Sequence, residues 1–437
     1  MNGFIINFAF QNWSDQYQWW IPNNCPADFM MDGVRQLPPS HDWMWFDHGA
    51  VPAMRANGNL DYFSLPAYKN ENLNDYRNIR FQHLNQLSNS KYIYPIFLRT
   101  WDYFVKMADH GFKFIDPRVI DDVIGKRAKI VFIHPWEGPC GSPDWAIIDR
   151  WCRSLNFRKD DVYVIHGNFN LPDDKYMFSY RPISDFQMKW SIYRTPIDYR
   201  PTDNANLFLC YNRARRKHRT LAVCELMNNN LFDRGITSYH NLSKNTSDLA
   251  RSYGRDDLVD AGAKIDALLP LHLEYDLETH NPVDKLTDDH HRQTFLSLVT
   301  ETLTEDEVKF RGGYVGADSP VFFSEKTWKP ISIGQPFIMV STKGHLAKLK
   351  EMGYQTFDRW WSEDYDTIGN THIKLKKIMD VLNMLSKLRV DELKAMRDQM
   401  QHVLIHNQIV YNQYRDSYND LPSEPLYKII QDIWSSF

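Results

Sequence analysis

The sequence predicts an α/β protein with two Rossmann-like domains, and three observations carry that prediction. At 437 residues the chain exceeds what one hydrophobic core comfortably serves and fits two domains of roughly 200 residues each. Lys129-Ile130-Val131-Phe132-Ile133-His134 and Asp161-Val162-Tyr163-Val164-Ile165-His166 read as strands on either side of a helical stretch from Pro143 to Leu155. Strand, helix, strand is a right-handed crossover in a parallel sheet. A second unit opens at Leu207-Phe208-Leu209-Cys210-Tyr211 and ends on Pro336-Phe337-Ile338-Met339-Val340, an apolar run of the kind covered on both faces. The expected division is a first domain over 1–205, a second over 206–388, and C-terminal helices over 389–437 that pack across both.

Composition narrows the functional classes. Hydrophobic content of 43% and charged content of 24% are ordinary for a soluble globular protein. A net charge of −4 supplies no global field toward nucleic acid, so binding of that kind needs a local basic patch. Aromatic residues make up 14%, with 14 Trp; ring-rich surfaces suit stacking against sugars or bases, and large cores consume rings as well. Cys25, Cys140, Cys152, Cys210 and Cys224 form no CxxC pair and leave an odd one over, which points to a reducing compartment. Met1 to Asn7 lacks a basic n-region, and no later segment reaches membrane-spanning length. The expected location is therefore the cytoplasm, with no membrane partner.

Residues 1 to about 90 show weak strand and helix periods, with aromatic clusters at Trp13, Tyr17, Trp19 and Trp20 and at Trp43, Trp45 and Phe46. His41, Asp42, Asp47 and His48 flank the second cluster without the paired spacing of a metal site. Alternation clears at Tyr92 to Leu98. The loop that leaves the strand at His134 reads Pro135-Trp136-Glu137-Gly138-Pro139, and the carboxyl ends of parallel strands are where such folds bind ligands. Glu137 occupies that position.

The strand at 207–211 runs directly into Asn212-Arg213-Ala214-Arg215-Arg216-Lys217-His218-Arg219, the densest positive charge in the chain, and then into a helix through Leu221, Val223, Cys224, Leu226 and Met227. Such a cluster binds a diphosphate, binds a nucleic-acid backbone, or solvates a helix start. Cations at a helix N-terminus are unfavourable unless an anion compensates, which argues against the last. A helix is expected around Leu258 to Leu268. Asp276-Leu277-Glu278 matches a DxD metal motif only loosely and reads more simply as a solvated face, and His290 and His291 read as turn residues. Thr294 to Thr302 reads as a strand ending in Glu301. A helix at His345 to Met352, a short strand at Gln355-Thr356-Phe357, and helices at Ile373 to Leu388, Val390 to about Tyr414 and Leu426 to Trp434 complete the chain.

Between them lies the stretch from Phe322 to Val340. Ser324 reads as a helix cap followed by Glu325, Lys326, Thr327 and Lys329, and Gly334 reads as the helix stop. A helix mouth rich in donors and lysines favours phosphorylated ligands, because free N–H groups and the helix dipole both attract negative charge. A carboxylate beside a phosphate repels it, so Glu325 is better matched to sugar or ribose hydroxyls. Charge for a diphosphate and an acceptor for a diol together suggest a nucleotide sugar. Pro330 costs roughly 3 kcal/mol in a helix interior, so either the helix starts near Lys329 or its first turn is distorted.

Glu301-Thr302, Phe323-Ser324-Glu325-Lys326-Thr327-Trp328-Lys329-Pro330-Ile331 and Gly334-Gln335-Pro336-Phe337 resemble the donor-binding signature of GT-B glycosyltransferases, in particular the fucosyltransferase-like group. Asn212-Arg213, Arg216 and His218-Arg219 look like the basic turn of many viral and bacterial proteins of this type. The likeness covers residues 206 to about 368, and Trp328 and Pro330 depart from the fucosyltransferase pattern. It implies a GT-B arrangement, with two Rossmann-like domains facing a cleft and long C-terminal helices. Arg213, Arg216 and Arg219 with Lys326 would then neutralise the diphosphate, and His218 would donate to a phosphate oxygen. Glu301 and Glu325 would hold sugar or ribose hydroxyls, with Ser324, Thr327 and Lys329 completing the donor site. The oxocarbenium-like transition state and the departing diphosphate call for fixed cations. Without a convincing metal motif, side chains take that load; no metal or cofactor is expected, and the nucleotide sugar is a co-substrate. An inverting enzyme also needs a base for the acceptor hydroxyl, with Glu137 as first candidate and His134 and Asp47 behind it.

The expected function is transfer of a sugar from a nucleotide diphosphate sugar to a carbohydrate, or to a hydroxymethylated DNA base as in some phage enzymes. The Asn-, Asp- and Tyr-rich composition and the Trp clusters are compatible with a phage or large-virus origin, which would place the protein in a host cytoplasm. The DNA version requires a base out of the stack and phosphates held by Lys and Arg; Lys106, Arg118, Lys126 and Arg127 would line such a groove. The alternative, from a different class, is a non-catalytic sugar- or nucleic-acid-binding protein on the same fold.

Overall fold

Period-2 runs become strands of parallel sheets. The computed structural model describes residues 6–10, 79–83, 90–97, 115–134, 142–168, 176–179, 196–201, 206–212, 215–241, 243–271, 288–310, 320–420 and 424–437. Two compact units emerge, Met1–Phe186 with Asn419–Phe437 and Gln187–Tyr418. In the first unit, β1 (Ile6–Phe10), β2 (Ile79–His83), β3 (Tyr92–Phe97), β4 (Ala128–His134), β5 (Val162–His166) and β6 (Met177–Ser179) form one sheet in the order β2-β1-β3-β4-β5-β6. Every pairing in it is parallel.

Two helices cover one face of this sheet. Tyr92 and Tyr94 of β3, Ala128, Ile130 and Phe132 of β4, and Val162 and Val164 of β5 share a core with Val119 and Val123 of α1 (Pro117–Ile124) and with Ile148, Trp151 and Cys152 of α2 (Ser142–Ser154). The spacing by two along each strand is what puts these side chains on one side. Trp151 anchors the packing edge-on, with ring centroids 6.0 Å from Phe132 and 5.4 Å from Phe157. Asp116 starts α1 by accepting the Arg118 N–H at 2.9 Å, with Pro117 in the first turn, the arrangement that satisfies an orphan donor and needs no N–H from proline.

The second unit carries β7 (Asn206–Cys210), α3 (Lys217–Asn228), β8 (Gly235–Thr237), α4 (Thr246–Ser252), α5 (Val259–Leu268), α6 (Asp288–Gln293), β9 (Thr294–Thr300), α7 (Glu305–Phe310), α8 (Glu325–Ile333), β10 (Phe337–Val340), α9 (His345–Glu351), α10 (Thr371–Leu385) and α11 (Val390–Asp420). Its sheet runs β10-β9-β7-β8, again parallel throughout. β9 and β10 are buried at every position, as their unbroken apolar runs require. The chain goes from β7 to β8 on one side and returns to β9 on the other. The order of the strands therefore reverses between β7 and β9, and the crevice at their carboxyl ends is the topological switch point. The last helix, α12 (Glu424–Ser435), belongs to the first unit, where the Ser436 hydroxyl lies 2.6 Å from the Tyr163 hydroxyl and 2.5 Å from Lys129 Nζ.

Several expectations change. The first 90 residues, read as irregular, contain β1 and β2. Gln355-Thr356-Phe357 is not a strand; the Asn407 side chain of α11 takes the place of a neighbouring strand, accepting from Gln355 N at 2.7 Å and donating to Gln355 O at 2.8 Å. His290 and His291 are helical, in α6. Of the two readings of Pro330, the later start near Lys329 is not the one observed: α8 begins at Glu325 with Pro330 inside it, and Ser324 O accepts from both Thr327 N–H at 3.1 Å and Trp328 N–H at 3.3 Å. Gly334 ends α8 with φ 66°, and Gln335 N–H reaches back to Pro330 O at 2.8 Å. Among the described residues no helix is long and apolar enough to cross a membrane.

Candidate functional site

Glu301 leaves the carboxyl end of β9 at the switch point and is 1% exposed. A buried carboxylate must be matched by donors, and α8 supplies most of them. Oε1 accepts from Ser324 N, Ser324 Oγ and Thr327 Oγ1, each at 2.8 Å, while Oε2 accepts from Ser324 Oγ at 2.7 Å and from the Thr302 amide. Burial works against its ionisation, but Lys326 and His345 hold its carboxyl below the ordinary range. A negative charge at a helix mouth is where the dipole favours one. The sequence reading gave Glu301 a sugar hydroxyl; here its oxygens hold the first turn of α8.

The other side of the crevice is the basic turn leading into α3. His218 is fully buried, and its Nε2 lies 2.8 Å from the Glu301 carbonyl, so Nε2 carries the proton. Burial, and then Arg219 and Arg216, push its pKa well below the usual histidine value. The imidazole is neutral and donates to the backbone, in place of the phosphate oxygen expected for it. Arg219, 2% exposed, points Nη2 at the carbonyls of Thr300 and Glu301, both at 3.4 Å; burial and Arg216 bring its pKa down to about 10. Arg216 donates to the Thr302 carbonyl at 2.6 Å, and Arg215 is exposed. The turn thus holds the β9 end by its backbone while α8 holds it by the Glu301 side chain.

Glu325, Lys326 and Lys329 lie on the first two turns of α8. Lys326 Nζ donates to Glu325 Oε1 at 2.5 Å, to Ser324 Oγ at 3.2 Å and to Thr302 Oγ1 at 3.4 Å. Burial opposes ionisation of Glu325, yet Lys326 and Lys329 bring its carboxyl down to about 2. Its charge is present at any pH near neutral. Ser324 caps the helix through Lys326 N–H. Thr327 gives its one hydroxyl hydrogen to Glu301, so His345 Nε2, 3.0 Å away, donates to Thr327. Trp328, one of the departures from the fucosyltransferase pattern, is 1% exposed and rests among Phe323, Tyr354 and Tyr411 at centroid distances of 5.3, 6.0 and 6.2 Å. It is the core anchor of α8.

The crevice therefore brings together Arg216, His218, Arg219, Glu301, Ser324, Glu325, Lys326 and Thr327, contributed by three separate stretches of sequence. Sequence reasoning missed Asn212 as a tie, although it named the residue: its Oδ1 accepts from Thr300 Oγ1 at 2.6 Å and its backbone N–H donates to Ser238 Oγ at 3.0 Å, joining the ends of three strands. It also missed His345 and the acidic start of α7, Glu305-Asp306-Glu307, which faces the basic turn. The available signal was three consecutive acids in a first turn. Arg213, Glu137, Asp47, Lys106, the Trp13 to Phe46 clusters, the His41 to His48 set and Asp276 to Glu278 lie outside the described residues. His134 closes β4 in register with His166 of β5.

Of the residues expected to line a basic groove in the first unit, Arg118, Lys126 and Arg127 are among those described. Arg118 pairs with Asp116 at 2.8 Å, Lys126 with Asp161 at 2.6 Å and Arg127 with Asp122, so these charges are answered locally. Lys126 and Arg127 also precede β4, at the amino end of the strand, away from the end where such sheets bind ligands. Among the described residues no group of three or more His, Cys, Asp or Glu is arranged to hold a metal ion. No protein-family model, curated protein or solved structure matches the chain.

Proposed function

We propose that the protein is a glycosyltransferase of GT-B type that takes a sugar from a nucleotide diphosphate sugar, with the second unit as its donor-binding domain. The observation that carries the reading is the meeting of the α3 basic turn and the α8 mouth on Glu301 at the carboxyl ends of β7 and β9. The cations Arg216 and Lys326, brought to one switch point, suit a diphosphate. Glu325, ionised and 13% exposed in its side chain, suits a hydroxyl of the sugar or ribose. As the glycosidic bond breaks, negative charge grows on the departing diphosphate, and fixed cations stabilise that charge more than they stabilise the bound donor. Glu137 is the proposed base for the acceptor hydroxyl, with His134 and Asp47 as the other candidates. The acceptor is a carbohydrate or a hydroxymethylated DNA base, and the proposed setting is cytoplasmic, the host cytoplasm for a viral protein.

A second reading is favoured by one feature. Lys326, Glu325, Ser324 and Thr302 bond one another, which suits a rigid non-catalytic module that binds sugar or nucleic acid. Thermal shift with a panel of UDP-, GDP- and CMP-sugars separates the two, since the enzyme reading expects stabilisation by at least one donor and slow hydrolysis of it. Stabilisation by none favours the binding module. Incorporation of labelled sugar into hydroxymethylcytosine DNA, compared with unmodified DNA and with glycans, then identifies the acceptor; no incorporation into either DNA removes that version.

A further inference from the structure

His345 opens α9 behind the mouth of α8 and takes no part in the proposed chemistry. It is 1% exposed. Its Nε2–H donates to Thr327 Oγ1, 3.0 Å away, and Thr327 passes its own hydrogen to Glu301 Oε1 at 2.8 Å. One directed chain of hydrogen bonds thus ties α9 to α8 and to the end of β9. The other ring nitrogen, Nδ1, is buried with no hydrogen-bond partner among the described residues. Phe323 closes on the imidazole, with ring centroids 4.6 Å apart and planes at 82°. Charged groups face the ring from three elements: Glu301 from β9 and Asp366 from the turn Asp364–Thr367 favour a proton on it, and Lys374 of α10 opposes one. The Asp366 carboxylate is already engaged by α9, accepting from Leu346 N at 2.9 Å and Ala347 N at 3.1 Å. Lys374 Nζ is held by the Ser341 carbonyl. A neutral imidazole, with one donor, fits this pocket; an imidazolium has two, and its Nδ1–H would be buried without an acceptor.

We propose that His345 is an acid-released latch: protonation at Nδ1 drives the first turn of α9 off α8, so that the ring meets water and the Thr327–Glu301 joint opens with it. A glutamine could donate to Thr327 as well, but a histidine makes the bond conditional on pH. Burial outweighs the pull of Glu301 and Asp366 and brings the His345 pKa down to about 4. The opened form, with an ordinary histidine, therefore takes up the proton first as pH falls, and between pH 7 and pH 5 opening gains about twentyfold. The crevice around Glu301 is firm near neutrality and loosens in acid. The latch does not depend on what the crevice binds.

The test is hydrogen exchange of the full-length protein at pH 7 and pH 5, read by mass spectrometry and corrected for the intrinsic rate at each pH. Residues 322–328 and 343–349 should lose about twentyfold in protection together on going to pH 5. His345→Gln keeps the donor to Thr327 and cannot titrate, so the loss in the same segments should shrink to about threefold or less. A loss in wild type below about threefold, or one of full size in His345→Gln, overturns the latch. If the variant does not fold, deuterium exchange at the imidazole C2 of wild-type His345 across pH 4 to 8 decides instead: a midpoint well below 6.5 supports the latch, and a midpoint near 6.5 overturns it.

Discussion

Replacing Glu301 by Gln tests the joint between the two halves of the crevice. The amide keeps one acceptor oxygen, best placed where Oε1 now receives Ser324 N, Ser324 Oγ and Thr327 Oγ1. Its NH2 then confronts the Thr302 amide, which bonds Oε2 in the native protein. The Ser324 hydroxyl can turn away, but the backbone donor cannot. An unsatisfied buried donor costs about 1–3 kcal/mol, and bonds to a charged acceptor weaken to neutral ones, for a total of about 3–4 kcal/mol. Lys326 also loses one of its two nearby negative charges and keeps Glu325. Hydrogen exchange read by mass spectrometry is the suitable assay, because it reports the opening of separate segments. Residues 301–304 and 322–328 should exchange about two to three orders of magnitude faster in the variant, the equivalent of that free energy. Residues 371–385 of α10 should be unaffected. Protection at 301–304 within a factor of about three of wild type would show that Glu301 does not hold the two elements together.

The remaining predictions concern pH, a backbone position and the proposed chemistry. His345 is buried and its pKa is pushed down to about 4, so the unfolded chain binds its proton first as pH falls. The stability tied to His345 is whole above about pH 6.5 and declines between about 6.5 and 4 by about 3 kcal/mol; His218 adds to the same decline, and His345→Gln should flatten it in denaturant melts taken across that range. Glu325, with its carboxyl down to about 2, contributes stability that is present above about pH 4.5 and lost as pH falls toward 2; Glu325→Gln should leave stability flatter there. Gly334→Ala should destabilise by about 2–4 kcal/mol, since a side chain at φ 66° is strained and its Cβ would lie 2.7 Å from Pro196 Cα; a thermal midpoint equal to wild type would contradict that packing. Lys326→Ala and Glu325→Ala should abolish donor binding, whereas Glu137→Ala should bind donor normally and turn over slowly. Full turnover in Glu137→Ala would oblige another residue to be the base.

Much of the local structure was legible because short-range signals were strong. Ser324, Glu325 and Gly334 marked both ends of α8, and the crossover from Lys129 to His166 showed its two periods clearly. β1 was also written in the sequence, as Ile6, Phe8 and Phe10 at alternate positions, but one short strand without a neighbouring helix pattern does not stand out among scattered aromatics. Gln355 to Phe357 has strand composition, and its pairing is decided by Asn407, 52 residues away. The same distance effect governs the site. Glu301 was found as an acid at a strand end, but its role depends on Ser324 and Thr327, 23 and 26 residues further on, and only the fold brings their hydroxyls to it. His218 and Arg219 read as phosphate ligands, because a run of positive charge carries no mark of which members turn inward.

The most direct measurement is a crystal structure of the protein soaked with the nucleotide diphosphate sugar that stabilises it best. The account predicts the two phosphates at the carboxyl ends of β7 and β9, with Arg216 and Lys326 within hydrogen-bonding distance and a sugar or ribose hydroxyl on Glu325. A nucleotide bound away from these residues, or at the amino ends of the strands, would contradict it.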